Sequence, residues 1–251
     1  MQITSKSINI SRKKFDRNGI LVVKNLVPKN IIKDCLKDLK NFKKYNLAKS
    51  KKHIVFDRYK SHNYIKYFQY LNFYLNSFNV FLNSKILEIS SQLLSDKTYF
   101  LNMNYHNKIP GGSETPPHQD NFYWCRKPKK ALTAYIALNP QSYKNGGISY
   151  LLKSHKLKTF DHKSSNVKAF SSYIDDKFLK KKFFFTPVLS AGDVVFHHCN
   201  IIHKASRNNH TSKERKALAL AIYAYNSKLD KEFLKKYSKN KNTHKKLLQQ
   251  L

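Results

Sequence analysis

From residue 98 onward the chain becomes a series of short apolar runs, each bounded by a turn signal, and this texture limits the fold more than any other feature. Residues 99–109 form one run, stopped by Pro110-Gly111-Gly112. Residues 132–138 alternate around Thr133-Ala134-Tyr135-Ile136, and Asn145-Gly146-Gly147 leads into 148–152. Residues 183–189 precede the turn Ala191-Gly192-Asp193, then 194–198 and 216–225 complete the set. Short strands at such spacing with turn residues between them read as a sandwich or barrel. A jelly roll closes them with protected edges, and its mouth is a natural pocket.

The residues before this region follow another period. Residues 11–18 read as a short helix ending at Gly19, and residues 20–23 as a brief strand. Val27-Pro28 then opens a second helix, because a first turn tolerates the missing N–H of proline. Ile31, Ile32, Cys35, Leu36, Leu39 and Phe42 follow at helical spacing with lysines opposite. Residues 47–62 read as a basic loop. Residues 64–94, rich in aromatics and leucine and free of Gly and Pro, predict one or two helices. Residues 153–182 are polar and basic and read as a flap over a pocket; residues 230–251 read as a basic C-terminal helix. The fold class expected is mainly β with flanking helices (α+β), a jelly-roll, cupin-like core. A length of 251 residues suits one domain. It divides into a helical part over about 1–97, a core over about 98–225 and the tail helix.

Within this frame Thr115-Pro116-Pro117-His118-Gln119-Asp120 holds the most specific chemistry. In an extended segment His118 and Asp120 share one face, so both reach a single ion. A neutral imidazole and a carboxylate are two of the three ligands of the facial triad of non-haem Fe(II) oxygenases. The third must be a histidine folded back from another strand. His203 is the candidate, with His197 and His198 as rivals, and one of those two must face away in a strand. A His-x-Asp triplet alone arises often by chance; the surrounding motifs decide its weight.

Those motifs occur in one order: Lys108-Ile109-Pro110-Gly111, His118-Gln119-Asp120, Tyr135-Ile136-Ala137-Leu138, Asn145-Gly146-Gly147, Ser154-His155-Lys156, Gly192-Asp193-Val194-Val195, His203 and Arg215-Lys216-Ala217-Leu218. Together they resemble the phytanoyl-CoA dioxygenase family of Fe(II)- and 2-oxoglutarate-dependent oxygenases over roughly residues 98–225. The resemblance implies a double-stranded β-helix core. It also implies His118, Asp120 and His203 as iron ligands, Arg215 as the clamp on the far carboxylate of 2-oxoglutarate, and Asn104 and Tyr135 in the co-substrate site. Arginine suits that clamp because its planar fork gives a carboxylate two parallel hydrogen bonds. Arg207 is the competing cation, but it sits in a polar turn. Gln119 and Trp124 flank the ligands as pocket residues, Trp124 reading equally well as core. His155 matches a Gly-Ser-His turn of the family with Lys153 in place of its glycine, and reads as structural. The implied reaction consumes O2 and 2-oxoglutarate, releases succinate and CO2, and hydroxylates an unactivated C–H. Asp120 argues against halogenation, since related halogenases carry a small residue there. Desaturation or ring closure would use the same residues.

Charge is the remaining feature: 48 Lys+Arg against 15 Asp+Glu, or +33. Such an excess suits a nucleic-acid or acidic-membrane partner. Its placement points elsewhere. Residues 1–60 hold 17 basic and 4 acidic residues and residues 204–251 hold 13 and 3, so the excess sits in the flanks and reads as a solvated coat. A nucleic-acid-directed oxygenase is one alternative, and a metal-bound jelly roll without oxygenase activity is another. Lys108 and the lysines of residues 153–158 favour an anionic small-molecule substrate, although lysine is spread through the whole chain. Cys35, Cys125 and Cys199 lack metal-knuckle spacing and read as reduced thiols of a cytoplasmic protein. The first residues lack the pattern of a signal peptide, and no run reaches transmembrane length. If the charge is a coat, DNA should bind no tighter than about 10⁻⁶ M at physiological salt. Sub-micromolar, sequence-tolerant binding in an anisotropy titration would instead mean a groove.

Overall fold

A computed structural model describes residues 5–45, 52–59, 62–81, 85–179 and 181–238. The helices are α1 (Ser5–Asn18), α2 (Lys29–Tyr45), α3 (Lys85–Leu94), α4 (Asp120–Trp124), α5 (Asp176–Leu179) and α6 (Lys231–Ser238). The strands before α4 are β1 (Ile20–Val23), β2 (Ile54–Tyr59), β3 (His62–Phe68), β4 (Thr98–Lys108) and β5 (Thr115–His118). After it come β6 (Arg126–Lys127), β7 (Ala131–Ala137), β8 (Ile148–Tyr150), β9 (His162–Ser164) and β10 (Ser172–Ile174). The last are β11 (Val194–His198), β12 (His203–Ala205), β13 (Arg215–Ala224) and β14 (Lys228–Leu229).

Seven strands form an antiparallel sheet in the order β1-β11-β7-β13-β4-β3-β2, and β5-β12-β8 form a smaller one. Strand alternation divides the large sheet into two faces. Leu132, Ala134, Ile136, Val194, Phe196, Leu218, Leu220 and Ile222 lie on the outer face, in the main core with Ile32, Leu39, Ile86 and Leu93 of the helices. Tyr135, Ala137, Val195 and Ala217 lie on the inner face and pack on Ile148 and Tyr150 of the small sheet. This is the expected jelly roll with helices against one face. On β13 the inner face carries Arg215, then alanine at 217, 219 and 221, and Tyr223 at its far end. The small side chains leave the space between the sheets open.

Two left-handed glycines fix the joins. Gly19 (φ 79°) ends α1, its N–H bonded to the Phe15 carbonyl, where the sequence placed the helix stop. Gly192 (φ 91°) turns the chain into β11, and its carbonyl accepts the Val27 N–H just before α2. In α2, Ile32, Cys35, Leu39 and Phe42 are buried, while Lys29, Lys33, Lys37 and Lys40 are exposed.

Several expectations fail in the N-terminal half. Residues 64–94 are not mainly helical: 64–68 belong to β3, two 3₁₀ turns follow at Leu71–Phe73 and Asn76–Phe81, and only α3 is a full helix. Part of the expected loop at 47–62 is β2, paired with β3 at the sheet edge. Pairing buries Ile54, Ile65 and Phe68, and tertiary burial overrides a periodicity too mixed to choose a state. Residues 183–189 make only isolated bridges, Phe185 to Tyr150 and Leu189 to Gln141, and Pro187 between them has no N–H to give. Residues 153–182 hold a 3₁₀ turn, the β9–β10 hairpin and α5. Of the expected C-terminal helix, α6 is present, and residues 239–251 lie outside the described residues. Among the described residues no helix is long and apolar enough to cross a membrane.

At Gly192 an added Cβ would stand 2.2 Å from the Val27 carbonyl oxygen. Gly192→Ala combines that clash with a positive φ, so it should lower unfolding free energy by about 2 kcal/mol or more. Denaturant melts of wild type and variant check this.

Candidate active site

The pairing of β5 with β12 sets His118 and His203 directly opposite each other, with ring centroids 4.2 Å apart. The chain leaves β5 at His118, keeps Gln119 extended and begins α4 at Asp120. The His-x-Asp segment is therefore a strand end running into a helix, not one continuous strand, yet both side chains still converge. One donor atom each from His118, Asp120 and His203 lies within 4.8 Å of the others.

Protons at this cluster are fixed by backbone acceptors. His118 Nδ1 is 2.8 Å from the Pro116 carbonyl and His203 Nδ1 is 3.1 Å from the Ile201 carbonyl. A carbonyl only accepts, so each Nδ1 carries the hydrogen and each Nε2 presents a lone pair. Those Nε2 atoms stand 3.8 and 3.7 Å from Asp120 Oδ1. Burial pushes both imidazoles down to about 4, with His203 opposing protonation of His118 and Asp120 favouring it. Burial alone would raise Asp120, but His203 and the His197 hydrogen bond hold it well below the usual carboxylate range. Three unprotonated donors thus face one point, a set that repels itself unless a cation lies between them. The site fits a divalent metal on its own chemistry.

The cavity beside it, about 250 Å³, opens between the two sheets. Arg215 lines it and is 5% exposed, with Nε donating to the Gly146 carbonyl at 3.2 Å. Among the described residues no carboxylate lies within ion-pair distance of it, so a buried guanidinium faces the cavity uncompensated. Arg207, the rival cation, is exposed. Tyr135 also lines the cavity and donates to Gln141 Oε1 at 2.8 Å. Asn104 lines it with its amide tied to Asn102 Oδ1 and the Tyr70 N–H. Trp124 reaches the wall and tilts against Tyr223. Gln119 does not line the cavity: fully buried, it joins the Asn200 and Lys158 carbonyls to the Phe160 N–H.

His197 and His198 divide as strand alternation requires. His197 faces the site, and His198 packs against Phe15 and His155. His155 bonds the Asp16 carbonyl, a structural contact. Lys153 adopts φ 68°, a left-handed conformation that most often falls to glycine. Lys108 is buried but spends its ammonium on the Ala205 and Ser206 carbonyls. Sequence reasoning missed Tyr67, His106, Thr133, Tyr150 and Phe170. His106 was within reach, since 102, 104 and 106 share the inner face of β4; Phe170 arrives from a loop with no periodic signal.

Residues 15–217 match the phytanoyl-CoA dioxygenase (PhyH) family. The chain belongs to that family. It is 28% identical over 140 residues (53% of this chain, 48% of the relative) to a probable alpha-ketoglutarate-dependent hypophosphite dioxygenase of Stutzerimonas stutzeri. It is 28% identical over 153 residues (56% and 50%) to a phytanoyl-CoA dioxygenase of Arabidopsis thaliana. The chain thus spans about half the length of the curated relatives it matches. Among solved structures, EctD from S. alaskensis in its apoform superposes with TM-score 0.74 at 18% identity, covering 92% of this chain and 80% of EctD. The alpha-ketoglutarate-dependent epimerase SnoN from nogalamycin biosynthesis gives 0.70 at 16%, covering 89% and 85%. These likenesses establish the double-stranded jelly-roll fold.

The buried imidazoles carry a pH consequence. His118 and His203 sit at about 4, and His106, His162 and His198 at about 3, burial being the largest cause in each. An unfolded histidine titrates near 6.5. Below that pH the unfolded chain binds protons that the folded one refuses, so their contribution is complete above about pH 7 and lost toward pH 4. Melting temperature should be flat above pH 7 and fall steadily to pH 4.5. A flat profile over that whole range would contradict neutral buried imidazoles.

Proposed function

We propose that this chain is an Fe(II)- and 2-oxoglutarate-dependent dioxygenase that hydroxylates an unactivated C–H of a small molecule. The observation that carries this reading is the meeting, in one cavity, of three unprotonated donors with a buried arginine that lacks a carboxylate partner. Family membership supports it, and so do solved relatives: SnoN is described with Fe3+ and alpha ketoglutarate, and EctD with 2-oxoglutarate and 5-hydroxyectoine.

In this reading His118, Asp120 and His203 hold the iron, and Arg215 holds the far carboxylate of 2-oxoglutarate, with Tyr135 and Asn104 beside it. The bound iron and co-substrate supply the oxidising chemistry, in which O2 and 2-oxoglutarate become succinate, CO2 and the hydroxyl of the product. The protein's part is to bind, orient and exclude water. Neutral Nε2 atoms are ready to ligate without losing a proton, because Nδ1 already carries it. The Arg215 fork fixes the direction of a dicarboxylate. Tyr67, Tyr123, Trp124 and Phe170 wall off solvent on the substrate side.

The lining also bears on the substrate. Among the described residues Arg215 is the sole Lys or Arg in the cavity wall, and Lys108 and the lysines of residues 153–158 stay outside it. The anionic group those lysines suggested finds no second cation there. The wall outside the His-Asp-His cluster is otherwise uncharged, with aromatic, amide, hydroxyl and small apolar side chains, Gln69 and Asn102 included, which suits an uncharged reacting end with polar groups.

Substrate-triggered succinate release by the Fe(II)-loaded protein tests the reaction. Arg215→Ala should weaken 2-oxoglutarate about 100-fold or more, since each hydrogen bond to a charged group contributes roughly 1.5–3 kcal/mol. Arg215→Lys should recover only part, because a point charge cannot reproduce the fork. His118→Ala should remove iron binding. Anaerobic titration of the Fe(II) protein with 2-oxoglutarate, followed by the metal-to-ligand absorption band, reads all three. Unchanged affinity in Arg215→Ala would defeat the clamp.

A further inference from the structure

The two oxygens of Asp120 have different surroundings. Oδ1 faces the lone pairs of His118 and His203. Oδ2 accepts the Thr133 hydroxyl at 2.7 Å and lies 3.2 Å from His197 Nε2. Thr133 and His197 are cross-strand neighbours on β7 and β11, and alternation turns both toward the site. His197 is 1% exposed, and its other nitrogen, Nδ1, lies 3.0 Å from the Tyr150 hydroxyl. Tyr150 is fully buried and stands on β8 opposite His203. A carboxylate oxygen only accepts, so the hydrogen of His197 is on Nε2 and points at Asp120, which leaves Nδ1 to accept the Tyr150 hydroxyl.

We propose that His197, oriented by Tyr150, is a positioning residue for Asp120: with Thr133 it occupies Oδ2, so that the carboxylate offers the metal Oδ1 alone. A carboxylate free at both oxygens can chelate a metal with two, which fills one of the positions a co-substrate needs. The chain Tyr150–His197–Asp120 crosses from the small sheet to the large one, so the packing of the two sheets also sets the pose of the ligand. This inference rests on the metal-site reading above, and nothing in it requires 2-oxoglutarate or turnover.

Co(II) is the probe, titrated into the metal-free 251-residue chain by calorimetry while its visible d–d spectrum is recorded. Wild type should bind one Co(II), and His118→Ala should abolish binding. Failure of wild type to bind would defeat the metal-site reading and this inference with it. Given that control, His197→Phe should bind roughly 10–100-fold more weakly, the usual effect of losing a hydrogen bond to a metal ligand. Its spectrum should shift as coordination changes. His197→Gln, which keeps an N–H toward Oδ2, should restore much of the affinity and the spectrum. Tyr150→Phe deletes only a hydroxyl, preserves the packing and should show a smaller loss with the same spectral shift. Wild-type affinity and spectrum in His197→Phe would overturn the proposal. Complete loss of binding, as in His118→Ala, would also overturn it by making His197 a ligand. If His197→Phe does not fold, Tyr150→Phe decides: an unaltered spectrum and affinity there reject the role.

Discussion

The antiparallel register of β5 on β12 is the contact on which the rest depends, because it sets His203 opposite His118. Each imidazole is then pinned by a carbonyl two residues back along its own chain, Pro116 for one and Ile201 for the other. A shift of one residue would send either ring to the other face of the sheet. The large sheet supplies what the small one lacks: Thr133, His197 and Arg215 all project from its inner face. The site is therefore shared between the two sheets, and the helices on the outer face hold the large sheet in place.

Much of this was legible from residue 98 onward, for a definite reason. There the runs are short, their ends carry Gly, Pro or Asn, and burial of β7 on both faces and of most of β11 and β13 leaves each run apolar between its turn signals. β4, β7, β11 and β13 all fall where those bounded runs place them. The approach of His118, Asp120 and His203 was readable because few residue types can hold a metal and their order matched a family. The N-terminal half was less legible. β2 and β3 lie at a sheet edge where burial comes from partners distant in sequence, and no local pattern separates Ile65 in a strand from Ile65 in a helix.

Other residues mislead for a different reason. Gln119 sits between His118 and Asp120, and its type suits a pocket, yet its side chain turns into the protein and ties residues 158–160 to Asn200. Lys108 likewise looks like a site cation and is a scaffold residue, satisfying carbonyls just beyond His203. In both cases the deciding fact is where buried backbone groups need partners, and a linear sequence does not display that need. Phe170 illustrates the converse. It stacks on His106 from a loop whose composition announces only polarity.

The alanine stripe of β13 separates two properties that many pockets combine. The convergent His118, Asp120, His203 and Arg215 stand on β5, α4, β12 and the first residue of β13, whereas methyl groups at Ala219 and Ala221 line the cavity wall between them. These positions sit mid-strand with their neighbours on both sides locked in the ladder, so a larger side chain there would occupy the chamber and leave the backbone unmoved. A substitution at either position would therefore change what the chamber admits without touching His118, Asp120, His203 or Arg215. Capacity here is a matter of volume on one strand, kept apart from the geometry of the side chains that converge from the others.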